Sequence, residues 1–147
     1  KKEMVARQCS VVDIESAVVR KEGDDAVIIT YGQGVDWAME ASSHAGEQKG
    51  RTVQVLDLRS LAPIDWDSIG QSINYTGKVL LLQESSEVMG PMSEISAGIS
   101  ENYFEYLDAP IFRCSSLHTP VPHNKNLEEQ YLALSRLEES LIKLLDY

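Results

Sequence analysis

A three-layer α/β/α domain, built on a mostly parallel five-stranded sheet with one antiparallel edge strand, is the fold class that the sequence predicts. Short runs rich in Val, Ile and Leu alternate with segments whose apolar residues recur every three or four positions. Several runs are apolar throughout, which is typical of strands covered on both faces. The 147 residues suffice for one such domain, and no internal repeat or low-complexity linker divides them.

Five runs are interpreted as strands. The first, at 17–20, ends at a Gly-Asp-Asp turn and is expected to be the antiparallel edge strand. The other four are more continuously apolar and lie at 26–31, 53–58, 78–83 and 110–114. Residues 1–16 are interpreted as an N-terminal linker or extension, which leaves 17–147 as the domain.

Helices are expected between these strands and at the end of the chain. Asp65 is expected to cap the second helix, and Gly50 and Gly77 to end the first and second. Capping pairs in the final segment are expected at Asn126/Glu129 and Ser135/Glu138. The core-facing residues are predicted to be Val35, Ala38, Met39 and Ala45 in the first helix, Trp66, Ile69 and Ile73 in the second, Met92, Ile95, Ile99 and Tyr103 in the third, and Leu134, Leu137, Leu141 and Leu144 in the last.

The charge balance narrows the classes of partner. Acidic residues outnumber basic ones 23 to 13, which gives a formal net charge of −10. Such a surface repels nucleic-acid phosphates and anionic lipids and favours a basic protein partner. No apolar run approaches the roughly 20 residues that span a bilayer. Cys9 and Cys114 are interpreted as two unrelated thiols, which indicates a reducing compartment such as the cytoplasm.

Three sets of residues are candidate sites of chemistry: a glycine turn, a cysteine–histidine pair and the three histidines. Gly32-x-Gly34 opens like a dinucleotide fingerprint, but Trp37 occupies the place of the third glycine, so a tight turn is favoured over a nucleotide or small-ligand site. Cys114 and His118 are close enough in sequence for a nucleophile and its base, although burial of the thiol is favoured. The three histidines have no metal-ligand spacing.

Two further features suggest contacts with other chains. Glu84 follows the central strand, where a carboxylate acts as an acid or base or, more often, caps a helix or pairs at an interface. The segment Met89-Gly90-Pro91-Met92, together with Trp37 and Met39, is a candidate exposed apolar surface. Core packing is the alternative for Met92, whereas burial and contact with another chain are equally favoured for Met89.

In its order of motifs the chain resembles the C-terminal domain of the transketolase family, closest to the β-subunit of the E1 component of 2-oxo acid dehydrogenase complexes. The resemblance runs from about Ala17 to Tyr147. The strings that carry it are Gly23-Asp24-Asp25-Ala26-Val27-Ile28-Ile29-Thr30-Tyr31-Gly32, Val35-x-Trp37-Ala38-x-Glu40-Ala41, Val53-x-Val55-Leu56-Asp57-Leu58-Arg59-Ser60-Leu61-x-Pro63-Ile64-Asp65, Thr76-Gly77-Lys78-Val79, Glu94-Ile95, Leu107-Asp108-Ala109-Pro110-Ile111-x-Arg113 and Thr119-Pro120-x-Pro122-His123.

The resemblance implies a division of labour. Enzymes of this family bind thiamine diphosphate and Mg²⁺ between two other domains, for which this chain has no room, so the fragment is expected to hold no cofactor and to be inactive alone. The whole protein is implied to decarboxylate a 2-oxo acid and to pass the acyl group to the lipoyl arm of E2. The implied partners are an E1 α-subunit or α-half and the basic subunit-binding domain of E2. Pro122-His123 favours branched-chain 2-oxo acids over pyruvate.

Departures from the family pattern concentrate on the loops at the strand ends. Gln83-Glu84 stands where the family usually has His-Glu, the segment at Met89 replaces a Gly-Gly-Phe-Gly turn, and His118 replaces an Asp. We therefore expect partner contacts to differ there, and we hypothesise a homodimer that packs through the helix after Met89. The candidate partner contacts are Glu84, Met89, Met92, Glu94, His118 and His123.

Overall fold

A computed structural model describes residues 11–147 and confirms the three-layer fold with a five-stranded mixed sheet. The sheet order is β1-β3-β2-β4-β5. The strands are β1 (Val18–Lys21), β2 (Ala26–Thr30), β3 (Val53–Asp57), β4 (Val79–Ser86) and β5 (Phe112–Ser116). The α-helices are α1 (Gly34–Lys49), α2 (Trp66–Thr76), α3 (Pro91–Asn102), α4 (Lys125–Tyr131) and α5 (Leu134–Leu145), and a 3-10 turn lies at Phe104–Tyr106.

The edge strand β1 is antiparallel, as predicted, and its neighbour is β3 rather than β2, the next strand in sequence. The pairs β3–β2, β2–β4 and β4–β5 are all parallel. A register shift lies between Val19 and Lys21, and Arg20 in between donates to Asp57 Oδ2 at 2.7 Å. This ion pair ties the edge strand to the carboxyl end of β3.

Two apolar cores lie on opposite faces of the sheet. The first contains Ala38 and Ala45 of α1 and Leu137, Leu141 and Leu144 of α5. The second contains Ile69 and Ile73 of α2 and Met92, Ile95 and Ile99 of α3. The strands between them are buried on both sides, which is why their sequences are continuously apolar.

Most helix ends follow the predicted signals. Asp65 caps α2 by accepting a hydrogen bond from the Ser68 backbone N–H at 3.0 Å. Gly50 and Gly77 end α1 and α2 with positive φ angles of 62° and 68°. The predicted face of α1 is wrong in one residue: Met39 is 37% exposed. The helix instead turns Trp37, Ala38, Ala41 and Ala45 inward.

The predicted final helix is interrupted, and neither capping pair forms as expected. Asn124 caps α4 and accepts from the Asn126 backbone N–H at 2.9 Å. The α4 helix ends at Tyr131, Leu132 after it adopts an extended conformation, and Ala133 precedes α5. The Arg136 guanidinium donates to the carbonyl oxygens of both Gln130 and Tyr131. A tertiary contact therefore satisfies the last carbonyls of α4 and stabilises the break.

Candidate functional site

The carboxyl ends of the four parallel strands form one edge of the sheet, where open α/β folds place their functional loops. At the centre of this edge, β2 and β4 lie side by side while the chain leaves them in opposite directions. The loops that meet there are the β2–α1 turn, the β4–α3 loop and the β5–α4 connection. Three of the six candidate contact residues, Met89, His118 and His123, lie in these loops. Glu84 lies near the end of β4, and Met92 and Glu94 lie in the first turn of α3.

The β4–α3 loop is held in one conformation by a buried amide. Gln83 is 1% exposed, and its Nε2 donates to the Ser86 carbonyl at 2.8 Å and to Ser115 Oγ at 3.0 Å. Its Oε1 accepts from the Met92 backbone N–H at 3.0 Å. Gly90 packs so closely against this amide that a Cβ there would lie 2.2 Å from Nε2. The loop is thus fixed on both sides by the side chain that the sequence analysis treated only as a departure from the family pattern.

Met89 is the most prominent feature of this loop. Its side chain is 96% exposed, and its φ of 60° lies in the left-handed region that favours glycine. Val88 beside it is 51% exposed. An exposed apolar side chain on a strained backbone is costly unless something else favours it, so Met89 is a candidate contact residue.

The burial of Met92 contradicts its place among the predicted partner contacts. Its side chain is 0% exposed in the core between α3 and the sheet, beside Ile95 and Ile99. A side chain that is fully enclosed by its own chain cannot reach a partner. Substitution of Met92 by Asp therefore tests the core rather than an interface, and Met89 is the position at which an interface is to be probed.

The two polar loops of the edge touch through a histidine. His118 Nδ1 lies 2.9 Å from Ser86 Oγ and joins the β5–α4 connection to the last residue of β4, directly before the β4–α3 loop. Both His118 and His123 are exposed. Arg113 adds a second link that the sequence analysis missed, because it donates to Glu87 Oε1 at 3.1 Å and to Ser93 Oγ at 3.2 Å.

Glu84 and Glu94 are exposed carboxylates on either side of this loop. Glu84 lies at the mouth of a cleft of about 420 Å³ that Tyr31, Val121 and Tyr131 also line. Glu94 lies in the first turn of α3, where a negative charge favours the helix dipole. Because neither carboxylate is buried, both are free to meet a charged partner.

The structure confirms the favoured burial of Cys114 and contradicts the alternative in which Cys114 and His118 form a nucleophile–base pair. Cys114 is 3% exposed, and its Sγ donates to the Ala133 carbonyl at 3.4 Å, toward α5. Burial raises the pKa of this thiol to about 11, so the reactive thiolate is disfavoured at neutral pH. His118 meets Ser86 instead. Cys9 lies outside the described residues.

The Gly32–Gly34 turn allows the start of α1 to pack closely against the end of β2. A Cβ on Gly34 would lie 2.1 Å from Thr30 Oγ1, and Thr30 in turn donates to the Leu82 carbonyl at 3.0 Å. Gly34 thus lets α1 begin directly against β2, which is the tight-turn interpretation of the motif. Among residues 11–147, no group of three His, Cys, Asp or Glu side chains is placed to hold a metal ion. The same residues include no helix both long and apolar enough to cross a membrane.

Fold and site together define a mostly parallel α/β/α domain, in which the loops at the carboxyl ends of the parallel strands and the residues beside them expose a methionine and two carboxylates. The chain belongs to the family "Transketolase, C-terminal domain", which matches residues 15–135.

Similar proteins are subunits of larger enzymes. The chain is 36% identical over 121 residues to the β-subunit of acetoin:2,6-dichlorophenolindophenol oxidoreductase from Bacillus subtilis, and this match covers 82% of the chain and 35% of that protein. It is 38% identical to the 3-methyl-2-oxobutanoate dehydrogenase β-subunit from Mycobacterium tuberculosis, over 74% of the chain and 31% of the relative. It is 34% identical to a mitochondrial pyruvate dehydrogenase E1 β-subunit from Arabidopsis thaliana, over 86% of the chain and 34% of the relative.

The chain thus spans about a third of the length of these relatives. A solved structure described as "Split gene transketolase, inactive beta4 tetramer" superposes with a TM-score of 0.79 at 27% identity. That superposition covers 92% of this chain and 44% of the solved one.

Proposed function

We propose that this chain is the C-terminal assembly and docking domain of a thiamine diphosphate-dependent 2-oxo acid dehydrogenase E1. In this proposal the whole protein oxidatively decarboxylates a 2-oxo acid and transfers the acyl group to lipoyl-E2, and the chain alone is not catalytic. The observation that carries the docking role is the β4–α3 loop, in which buried Gln83 fixes a backbone that exposes Met89. The β-subunit relatives support the enzyme class.

The residues described here do not fit thiamine diphosphate. A diphosphate–metal site needs oxygen ligands for a divalent ion, and residues 11–147 hold no cluster of three candidate metal ligands. The one glycine turn at a parallel strand end that resembled a phosphate cradle is occupied by the contact of Gly34 with Thr30. We therefore propose that thiamine diphosphate and Mg²⁺ bind elsewhere in the full-length enzyme.

Met89 is proposed to contact a second copy of this chain. The similar solved structure is described as a β4 tetramer, which supports self-association of this kind of subunit. We expect Met89→Asp to convert a dimer to a monomer in sedimentation velocity, because a charge would replace the exposed apolar contact. Met89→Gly is expected to do the same while relieving the positive φ, so its folded state keeps or gains stability.

Phe104→Asp is the matched control for the Met89 variants. Phe104 is 73% exposed and follows the other end of α3, so it lies at the opposite edge of the sheet. We expect Phe104→Asp to leave the dimer intact. A dimer that survives Met89→Asp, or that dissociates equally with Phe104→Asp, would contradict an interface at the Met89 loop.

The exposed carboxylates of the same edge are proposed to dock the basic subunit-binding domain of E2. The formal charge of −10 attracts such a domain over a long range, and Glu84 and Glu94 provide unburied charges beside the loop. We expect Glu84→Gln with Glu94→Gln to slow association and to flatten its salt dependence in a calorimetric or kinetic titration. Glu101→Gln, an exposed carboxylate at the far end of α3, is expected to change neither.

The remaining proposals concern the whole enzyme. An E1 α-subunit or α-half is the partner that would complete it, and neither nucleic acid nor a membrane is expected to bind the acidic surface. The cytoplasm is the proposed compartment.

Branched-chain 2-oxo acids are the proposed substrates. This proposal is tested by comparing the turnover of 3-methyl-2-oxobutanoate and of pyruvate by the reconstituted enzyme.

A further inference from the structure

A second cleft lies at the opposite corner of the sheet, far in sequence from the Met89 loop. It has a volume of about 340 Å³ and lies between β1, β3 and the exposed side of α2. We name it the Gln54 cleft, after the residue at its floor; Leu56, Gln71, Ser72 and Tyr75 also line it. Nothing in the proposed docking function uses this cleft.

The cleft exists because five strands are covered by too few helices on this face. A helix is about 10 Å wide and neighbouring strands are about 4.8 Å apart, so one helix covers roughly two strands. Here α2 packs on β2 and β3, and α3 packs on β4. The antiparallel edge strand β1 extends the sheet beyond α2 and leaves a recess above β3.

The floor of the recess contains an amide with an unmet hydrogen bond. Gln54 is 5% exposed, and it points to the same face as Leu56 because side chains alternate along β3. No hydrogen-bond donor among residues 11–147 reaches its Oε1, although that atom is buried. A buried polar atom without a partner costs about 1–3 kcal/mol, so the site favours a molecule that supplies the donor.

The other lining groups limit what that molecule can be. The described residues that line the cleft include no Lys, Arg or His, and Glu22 adds a negative charge, so anions are disfavoured. The Tyr75 hydroxyl donates to Asp24 Oδ1 at 3.0 Å, which holds the ring as one wall against which a flat molecule can stack. A side-chain amide offers an acceptor and a donor side by side, as in the pairing of Gln with adenine. The volume lies at the small end of ligand pockets.

We propose that the Gln54 cleft binds a small, planar, uncharged molecule that presents an N–H donor beside an acceptor on one edge. Nucleobases and primary carboxamides share this chemistry. Gln54 pairs with that edge, Leu56 and Tyr75 contact the flat faces or rim of the molecule, and Glu22 repels any attached phosphate. The proposal does not depend on the enzyme class or on the Met89 interface.

The test is a titration of the chain, followed by calorimetry and by the NMR signals of its side-chain amides. The probes are adenosine for the nucleobase source, nicotinamide for the carboxamide source, and AMP as the anionic control. We expect saturable binding of at least one of the two neutral probes, a shift of the Gln54 amide signals, and weaker binding of AMP than of adenosine. Binding of neither neutral probe, or shifts confined to residues outside the cleft, would overturn the proposal.

Gln54→Met removes the amide and keeps the length of the side chain. We expect it to weaken binding of the neutral probe about tenfold or more, since one such pairing contributes about 1–3 kcal/mol, and to leave the melting temperature unchanged or higher. Gln130→Met, at an exposed position of α4, is the matched control and is expected to bind as the unaltered chain does. Undiminished binding by a folded Gln54→Met variant would equally overturn the proposal.

Discussion

Two buried glutamines on non-adjacent strands of the same sheet have opposite surroundings. Gln83, the fifth of the eight residues of β4, is 1% exposed and makes three hydrogen bonds to Ser86, Ser115 and the Met92 backbone. Gln54, the second residue of β3, is 5% exposed, and its Oε1 has no partner among the described residues. Hydrogen bonds within the chain satisfy the Gln83 amide, whereas no donor among the described residues reaches Oε1 of Gln54.

The difference separates Gln83, which stabilises the structure around it, from Gln54, which we propose binds a ligand. Because the Gln83 amide is satisfied within the chain, it stabilises the loop, and in the docking proposal it affects partners only through the surface of that loop. Because Oε1 of Gln54 has no donor among the described residues, its burial costs free energy, which a ligand that supplies the donor would recover. The same residue type therefore predicts opposite responses to substitution, and these responses test the comparison.

The largest effect is expected where the Gln83 loop enters the core. Met92→Asp places a carboxylate at a fully buried position, and we expect the free energy of unfolding to fall by about 4 kcal/mol or more. Urea denaturation measures this change. Met89→Asp, three residues earlier and 96% exposed, is the control. When all three chains are compared at a concentration at which each is monomeric, it is expected to stay within about 0.5 kcal/mol of the unaltered chain. Equal losses for both would contradict the placement of the two methionines.

The central contrast is the pair of isosteric changes Gln83→Met and Gln54→Met. The first leaves the Met92 N–H and the Ser86 carbonyl without their partner, so we expect a loss of about 2–4 kcal/mol. The second removes an atom that was already unpaired, so we expect no loss or a gain of about 1 kcal/mol. Both values come from urea denaturation of the ligand-free chain. A comparable loss for both variants would show that Gln54 is satisfied after all.

The thiol of Cys114, a third buried polar group, is expected to make the free energy of unfolding depend on pH by about 3 kcal/mol. Burial raises its pKa in the folded chain to about 11 from an ordinary value of 9.0. The unfolded chain loses the proton first, so stability is complete below pH 9 and falls as the pH rises from 9 to 11. Cys114→Ala is expected to flatten this part of the curve of unfolding free energy against pH. An unchanged slope would show that other groups cause the alkaline loss.

The smallest effect is expected at the surface link between β5 and the Met89 loop. Arg113 and Glu87 are 37% and 54% exposed, so their ion pair contributes about 0.5 kcal/mol. Arg113→Met is expected to lower stability by that amount, and 1 M NaCl is expected to remove the difference. Lys143→Met, which breaks the exposed pair with Glu139, is the control of similar size. A loss several times larger would make Arg113 part of the rigid frame that we assign to Gln83.

Much of the fold follows from local sequence because the buried strands are apolar runs and the helix ends have local signals. Asp65, Gly50 and Gly77 end or begin helices through contacts within a few residues, which a sequence pattern can capture. The break between α4 and α5 could not be predicted in this way. It depends on Arg136 reaching Gln130 and Tyr131, and on Ser116 Oγ accepting from the Ala133 N–H at 3.2 Å across 17 residues.

The candidate site was predictable as a region but not in its details. Strand ends of a parallel sheet share one edge, so Glu84, Met89 and His118 were expected near one another. The roles of Met89 and Met92 depend on which way the loop turns, and that is decided by three hydrogen bonds of Gln83. The Gln54 cleft left no sequence signal, because it arises from β1 pairing with β3 beyond the reach of α2.

The most direct test of the docking account is a calorimetric titration of this chain with the E2 subunit-binding domain of the same organism, set against a titration with thiamine diphosphate and Mg²⁺. The account predicts saturable heat with the E2 domain, which weakens as salt rises and in the Glu84→Gln/Glu94→Gln variant, and no binding of the cofactor. Saturable cofactor binding, or an E2 domain that produces no heat at low salt, would contradict it.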